Sequence, residues 1–296
     1  NNGTIRTTST GGINVTPTNL TQAGAMINDG SGTLNIAPGS AWTNSGTIAN
    51  NSGTLTLDAA NDTAKITNAG SLALNAGTLN LGGSTILSDV LLSAGFTRAA
   101  GTTLNVTGVL DLQNSATPLD IGTNGQFGVG GLGALSGTIR NGTLVAGADN
   151  KTLASSSGTL DNITIGSSLN ESGPLGILND LTLADGVDFN TGASTIYFSG
   201  AAADIQLAAG ASAATLTHTG TLYANSGYNN GVVTIGSGVT VAGSGGLSNY
   251  WGNGGWVNNG TILNNTAGTL TISSTYFTNN GTLRATAGTT NVTPTN

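Results

Sequence analysis

This chain of 296 residues contains no cysteine, one histidine (His218), one glutamate (Glu171) and one methionine, and only 6% of it is charged. Each shortage excludes something. Without cysteine there is neither a disulfide framework nor thiol chemistry, and a single histidine cannot build a multi-histidine metal centre. Charged residues make up about 25% of ordinary globular domains, so solubility here falls to Thr, Asn and Ser. Six Lys and Arg against 13 Asp and Glu give a net charge of −7 and leave no basic stripe for nucleic acid. No run approaches the ~18 apolar residues of a membrane span, so no membrane insertion of this segment is expected. No cofactor is expected either.

What is abundant is glycine, 48 residues of it, set in a repeat. Gly-Thr-(Leu/Ile) occurs twelve times, beginning at Gly3, Gly32, Gly46, Gly53, Gly77, Gly137, Gly142, Gly158, Gly220, Gly260, Gly268 and Gly281. Self-similarity at a period near 20 residues marks a solenoid, whose turns bury their apolar faces only by stacking on one another. Trp256-Val-Asn-Asn-Gly-Thr-Ile262 recurs as Phe277-Thr-Asn-Asn-Gly-Thr-Leu283, a step of 21 residues. Ser52-Gly-Thr-Leu-Thr-Leu57 recurs as Ala76-Gly-Thr-Leu-Asn-Leu81, a step of 24. A step that varies fits a β-solenoid, where loops between strands can grow, better than helical repeats of fixed length.

Inside each turn the period is two. Leu34/Ile36, Leu55/Leu57, Leu79/Leu81, Leu104/Val106, Ile163/Ile165, Leu181/Leu183, Val233/Ile235, Val239/Val241 and Leu270/Ile272 alternate with small polar residues, as in strands buried on one face. The apolar residues are expected to point in, and Thr and Asn out. A second pattern, Thr159-Leu-Asp-Asn-Ile-Thr-Ile165, has kin at Gly176–Leu183 and Thr138–Leu144 and reads as two short strands meeting at a tight Asn or Asp corner, residues that tolerate the left-handed conformation. Ile86-Leu-Ser-Asp-Val-Leu-Leu92 is read the same way, in preference to a helix with Leu87, Leu91 and Leu92 inward. The whole chain, 1–296, is therefore expected to form a single-stranded parallel β-helix of about 13 turns of roughly 21–24 residues.

The two ends resemble each other. Asn1-Asn-Gly-Thr-Ile-Arg and Asn14-Val-Thr-Pro-Thr-Asn19 return as Asn279-Asn-Gly-Thr-Leu-Arg and Asn291-Val-Thr-Pro-Thr-Asn296. A higher-order repeat of about 278 residues is expected, with this chain a window on a longer tandem array. Neither end looks capped, so head-to-tail stacking of copies or covalent continuation is expected.

Residues able to do chemistry are scarce. Asp58/Asp62 and Asp185/Asp188 are the close carboxylate pairs, and all four are assigned to turns rather than to catalysis. His218, in Thr215-Leu-Thr-His-Thr-Gly-Thr-Leu222, is placed on the outward face. Outward Thr54-x-Thr56 and Thr269-x-Thr271 suggest a threonine array, but Asn35, Asn80 and Asn105 interrupt it, which argues against ice binding. The segment Gly243–Trp256 breaks the coil pattern and gathers aromatics. Tyr250, Trp251 and Trp256 are the candidate contacts for a ligand or another subunit, since such rings stack on sugars and on protein surfaces. For Trp256 the competing reading is that it opens a coil, as Trp42 and Phe277 do.

Asn-Asn-Gly-Thr-Ile, Ser-Gly-Thr-Leu-Thr-Leu and Ala-Gly-Thr-Thr-Leu-Asn-Val, spread over nearly all the chain, resemble the β-helical repeats of bacterial autotransporter passengers and filamentous-haemagglutinin-like exoproteins. The resemblance implies a right-handed helix, secretion to the cell surface and a structural or adhesive role. The secretion domain and outer-membrane barrel of such proteins have no counterpart in these residues. The expected function is a non-enzymatic, extracellular segment of a surface fibre or matrix filament whose partner is another copy of itself. The alternative is an adhesin that binds glycans or other surfaces through the 243–256 loop.

Overall fold

The computed structural model describes residues 1–40, 42–58, 65–200, 202–224 and 231–295. It is a parallel β-solenoid of about 12 turns with almost no helix. The chain divides into two compact units, Asn1–Asn114 with Leu119–Arg140 and Gly147–Asp149, and Ser115–Pro118 with Asn141–Ala146 and Asn150–Asn296.

In the first unit three strands make a turn. Thr4–Thr7, Ile13–Val15 and Leu20–Gln22 are followed by Ala25–Asn28, Thr33–Ile36 and Trp42–Asn44, each lying parallel on its predecessor. Leu34, Leu55, Leu79 and Leu104 stack in register, and so do Ile36, Leu57, Leu81 and Val106. All eight are sealed from solvent, as are the other five Leu/Ile/Val pairs named above. Outward Asn105 donates to Asn80 at 3.0 Å one turn below. The aligned steps of 21 and 24 residues are true neighbours, for Trp256 pairs with Phe277 and Thr54 with Thr78.

The asparagine ahead of the Gly-Thr motif does not point out, as expected, but in. Asn28, Asn44, Asn50, Asn258 and Asn264 are buried. A buried amide must find partners, and these find them along the stack. Asn28 Nδ2 donates to Asn50 Oδ1 at 2.8 Å and to the Ser52 carbonyl at 2.7 Å. Asn258 Nδ2 reaches Asn279 Oδ1 at 2.6 Å, while Asn258 Oδ1 accepts from the Gly260 amide two residues on at 3.1 Å. The motif's glycine follows from the same crowding. A Cβ on Gly24, Gly46 or Gly70 would overlap the carbonyl oxygen of the glycine one turn below, Gly3, Gly24 or Gly46.

One correction concerns local structure. Ser84–Ile86 is a strand, but Leu87–Val90 is one turn of α-helix, with Leu87, Val90 and Leu91 buried and Leu92 about half exposed at 51%. Leu87 and Leu91 are four apart, the helical spacing, and Asp89, the residue read as the corner, lies inside the helical turn and does not take the left-handed conformation. The step between stacked strands varies, from 17 residues at Gly158/Leu175 to 29 at Asp111/Arg140. Arg140 Nε bonds Asp111 Oδ2 at 2.9 Å across a separation of 29 residues.

The Asn corners of the second unit are as expected. Asn141, Asn162 and Asn179 all have φ between 53° and 61°, and Asn162 donates to Asn141 at 3.3 Å. The corner at Asn179 divides the strand Leu175–Leu183, whose first half pairs with Thr195–Ser199 and second half with Ala202–Leu207. In later turns the same corner separates Thr221–Ala224 from Val232–Ile235, and Gly245–Asn249 from Gly255–Asn258. A single-residue bend has widened into a loop, and that loop carries Tyr250 and Trp251.

Candidate functional site

Four aromatic side chains converge on one outward face of the second unit. Tyr197 and Tyr223 are register partners on successive turns, so parallel stacking sets their rings 5.6 Å apart at 14°. Tyr250 stands edge-on to both, at 5.3 Å from Tyr197 and 5.4 Å from Tyr223. Trp251 meets Tyr250 at 5.1 Å and 90°. Edge-to-face contacts suit the ring quadrupoles, whose edges are positive and faces negative. Crowding by the other rings shows in Tyr197, where burial first, then Tyr250 and Tyr223, push the phenol above its ordinary pKa.

Tyr250 and Trp251 remain 47% and 45% exposed, although their loop is held firmly. Asn249 Nδ2 donates to the carbonyls of Trp251 at 3.3 Å and Gly252 at 2.9 Å. Asn249 Oδ1 accepts the Thr275 amide at 2.9 Å, and Thr275 Oγ1 bonds the Gly252 carbonyl at 2.8 Å. Trp256 is not part of this surface. It is 1% exposed, lies edge-on to Phe198 at 5.6 Å, and donates its indole N–H to the Ser248 carbonyl at 2.9 Å. Its position opens a strand with an inward side chain, so it braces the loop from below and cannot meet a ligand at the surface.

The single histidine and the single glutamate were missed as interior residues. His218 is fully buried rather than outward: it lies two residues beyond inward Leu216 on the strand Ala214–His218, and alternation puts both on one face. Burial lowers its pKa to about 4, which the Gly220 backbone only partly offsets, and neither ring nitrogen makes a hydrogen bond of normal geometry. Glu171 follows the same rule two places after Leu169. Burial raises its carboxyl to about 7, with partial relief from the nearby Ser194 hydroxyl. A surface depression of about 420 Å³ lies over this spot, lined by Ser172, Pro174, Ala193 and Thr195 among others. Glu171 itself lines the depression, with both carboxylate oxygens buried.

The Asp185/Asp188 pair is taken up in local hydrogen bonds. Asp185 accepts from the Ser212 amide at 2.7 Å, the Ser212 hydroxyl at 2.8 Å and the Ala213 amide at 3.2 Å, and these bonds hold it below its ordinary pKa. Asp188 accepts from Thr217 Oγ1 at 2.9 Å. Asp62, the partner proposed for Asp58, lies outside the described residues. Among the described residues no group of three or more His, Asp or Glu is placed to hold a metal, and no helix is long and apolar enough to cross a membrane.

No family model, curated protein or solved structure matches this chain.

Proposed function

We propose that the chain is a non-enzymatic structural solenoid, a segment of an extracellular bacterial surface fibre of the kind built by autotransporter passengers and filamentous-haemagglutinin-like exoproteins. The observation that carries this reading is the pair of ladders, apolar and amide, that run through the interior of each unit. A turn finds partners for its buried groups only in the turns above and below. Growth along the stack is thus the one direction in which the sequence keeps rewarding itself. Its outward faces, rich in Thr and Asn and poor in charge, suit a passive rod. Negative-stain imaging and fibre diffraction of the purified chain test it. End-to-end filaments with the ~4.8 Å strand spacing along their length are expected, and discrete particles that never lengthen with concentration would count against it.

A second reading, an adhesin that engages glycans or other surfaces, is favoured by the exposure of Tyr250 and Trp251 on a braced loop. The two are compatible, since a fibre can present contact sites along its flank.

A further inference from the structure

Resting on the adhesin reading, we propose that Tyr197, Tyr223, Tyr250 and Trp251 form one docking platform for a neutral polysaccharide. The 243–256 segment alone suggests a surface loop with exposed aromatics. The packing points elsewhere, to a fixed surface assembled from three successive turns.

Three observations carry the proposal. The first is that the exposed rings are supported: Tyr250 rests on the Tyr197/Tyr223 stack and Trp251 on Tyr250, while Asn249, Thr275 and buried Trp256 fix the loop backbone. A platform already in its binding geometry loses little conformational entropy when it is occupied. Next is the shape. Of the large apolar and aromatic side chains exposed among the described residues, Tyr250 and Trp251 are the adjacent pair, and their perpendicular planes offer a face and a wall, not a flat hydrophobic patch.

The third is charge. The four rings and the side chains that tether them, Asn249 and Thr275, are all uncharged. A phosphate, sulfate or uronate would meet no counter-charge here. A pyranose ring has the complementary chemistry: its C–H face is weakly positive and apolar, suited to the negative face of an indole or phenol, and its rim of hydroxyls can bond phenol and amide groups. A protein partner of ordinary affinity needs about 800 Å² on each side, centred on an apolar core, whereas the exposed apolar surface here is one adjacent pair of rings, Tyr250 and Trp251, tethered by Asn249 and Thr275.

The test is affinity electrophoresis of the folded chain through gels containing a soluble neutral glucan, mannan or xylan, with polygalacturonate as the acidic counterpart. Retardation by at least one neutral polymer and none by polygalacturonate is expected. Trp251→Ala and Tyr250→Ala should each weaken it about tenfold, as hot-spot aromatics do, and Tyr223→Ala should weaken it by removing the support beneath Tyr250. Circular dichroism checks that each variant folds. Retardation that survives the Tyr250/Trp251 double substitution would leave the adhesin reading standing and overturn this site. No retardation by any polymer would overturn both. Self-association that these substitutions abolish, without an effect of glycan, would assign the platform to a second copy of the chain and equally overturn the proposal.

Discussion

The side-chain amide of Asn44 donates to the side-chain carbonyl of Asn68 at 2.7 Å, one turn further along, and both groups are buried. Asn44 also donates to the Ser71 carbonyl at 3.0 Å and accepts from the Gly46 amide at 3.1 Å. One side chain therefore closes its own turn and ties it to the next. Asn44→Ala strands the partners of all three bonds, and a loss of about 1–3 kcal/mol is expected. Urea denaturation measures it; an unchanged midpoint would mean that water replaces the amide without cost.

The apolar ladder gives a sharper contrast. Leu181 is fully buried and its neighbour Thr182 is only half so. Leu181→Asp places a charge without a partner in the interior and should cost several kcal/mol, of the order of 4. Thr182→Ala should cost under ~1 kcal/mol. Similar losses for the two would contradict the assignment of faces.

At Gly46 glycine is set by contact and not by backbone conformation, whereas Gly53 and Gly77 of the same motif also have φ of 60° and 72°. At Gly46 an added Cβ meets the Gly24 carbonyl, which belongs to the adjoining turn and cannot move aside. Gly46→Ala should cost roughly 3 kcal/mol or more. Gly101 has φ of +80° and nothing within 4 Å of a built Cβ, so Gly101→Ala carries only the left-handed strain of about 1–2 kcal/mol. Thermal melts of the pair decide between crowding and conformation.

The two buried titratable groups predict a stability optimum on the acid side of neutrality. Glu171 has its pKa raised from 4.5 to about 7 in the folded chain, so its ionisation penalises the fold increasingly as pH rises from 4.5 through 7. His218 has its pKa lowered from 6.5 to about 4, so its protonation penalises the fold as pH falls from 6.5 through 4. Stability should be greatest between those limits, near pH 5–6. Glu171→Gln should flatten the alkaline limb and leave the acid limb in place. Denaturant midpoints measured from pH 3 to 9 check this, and an alkaline limb that persists in Glu171→Gln would remove Glu171 as its cause.

Polysaccharides should be bound without being cleaved. Asp185 and Asp188 are engaged by Ser212 and Thr217, and both carboxylate oxygens of Glu171 are buried. Reducing-end assays on neutral and acidic polymers are expected to show no turnover. Cleavage that disappears in Asp185→Asn or Asp188→Asn would restore the enzyme reading.

Much of this was legible in the sequence because β-strand burial has a strict period of two, and Leu55/Leu57 or Val239/Val241 record it directly. The left-handed corners at Asn141, Asn162 and Asn179 were legible for a related reason, as few residue types tolerate that conformation. Interior asparagine was not legible, since polarity alone places Asn outside. Its signal lay in position, the fixed spacing of Asn44 and Asn258 two residues before Gly46 and Gly260. His218 and Glu171 were open to the same count of two, from Leu216 and Leu169; for His218 the alternation was counted in the wrong phase, and Glu171 was not placed on either face. The aromatic platform was half legible: Tyr250 and Trp251 stand together in the chain, but Tyr197 and Tyr223 join them only through the pairing of turns.

The corner that bends at Asn179 in one turn, and opens into the Tyr250 and Trp251 loop later, lies between strands that pair independently. Val232 still pairs with Gly255, and Ala224 with Asn249, whatever the length of chain between each pair of strands. Residues can be gained, lost or exchanged at that point without breaking the pairing of the flanking strands. Variation in a lineage should accumulate there first, and a protein engineer wishing to graft a foreign recognition loop has in this corner a socket that accepts new lengths while the scaffold stays as it is.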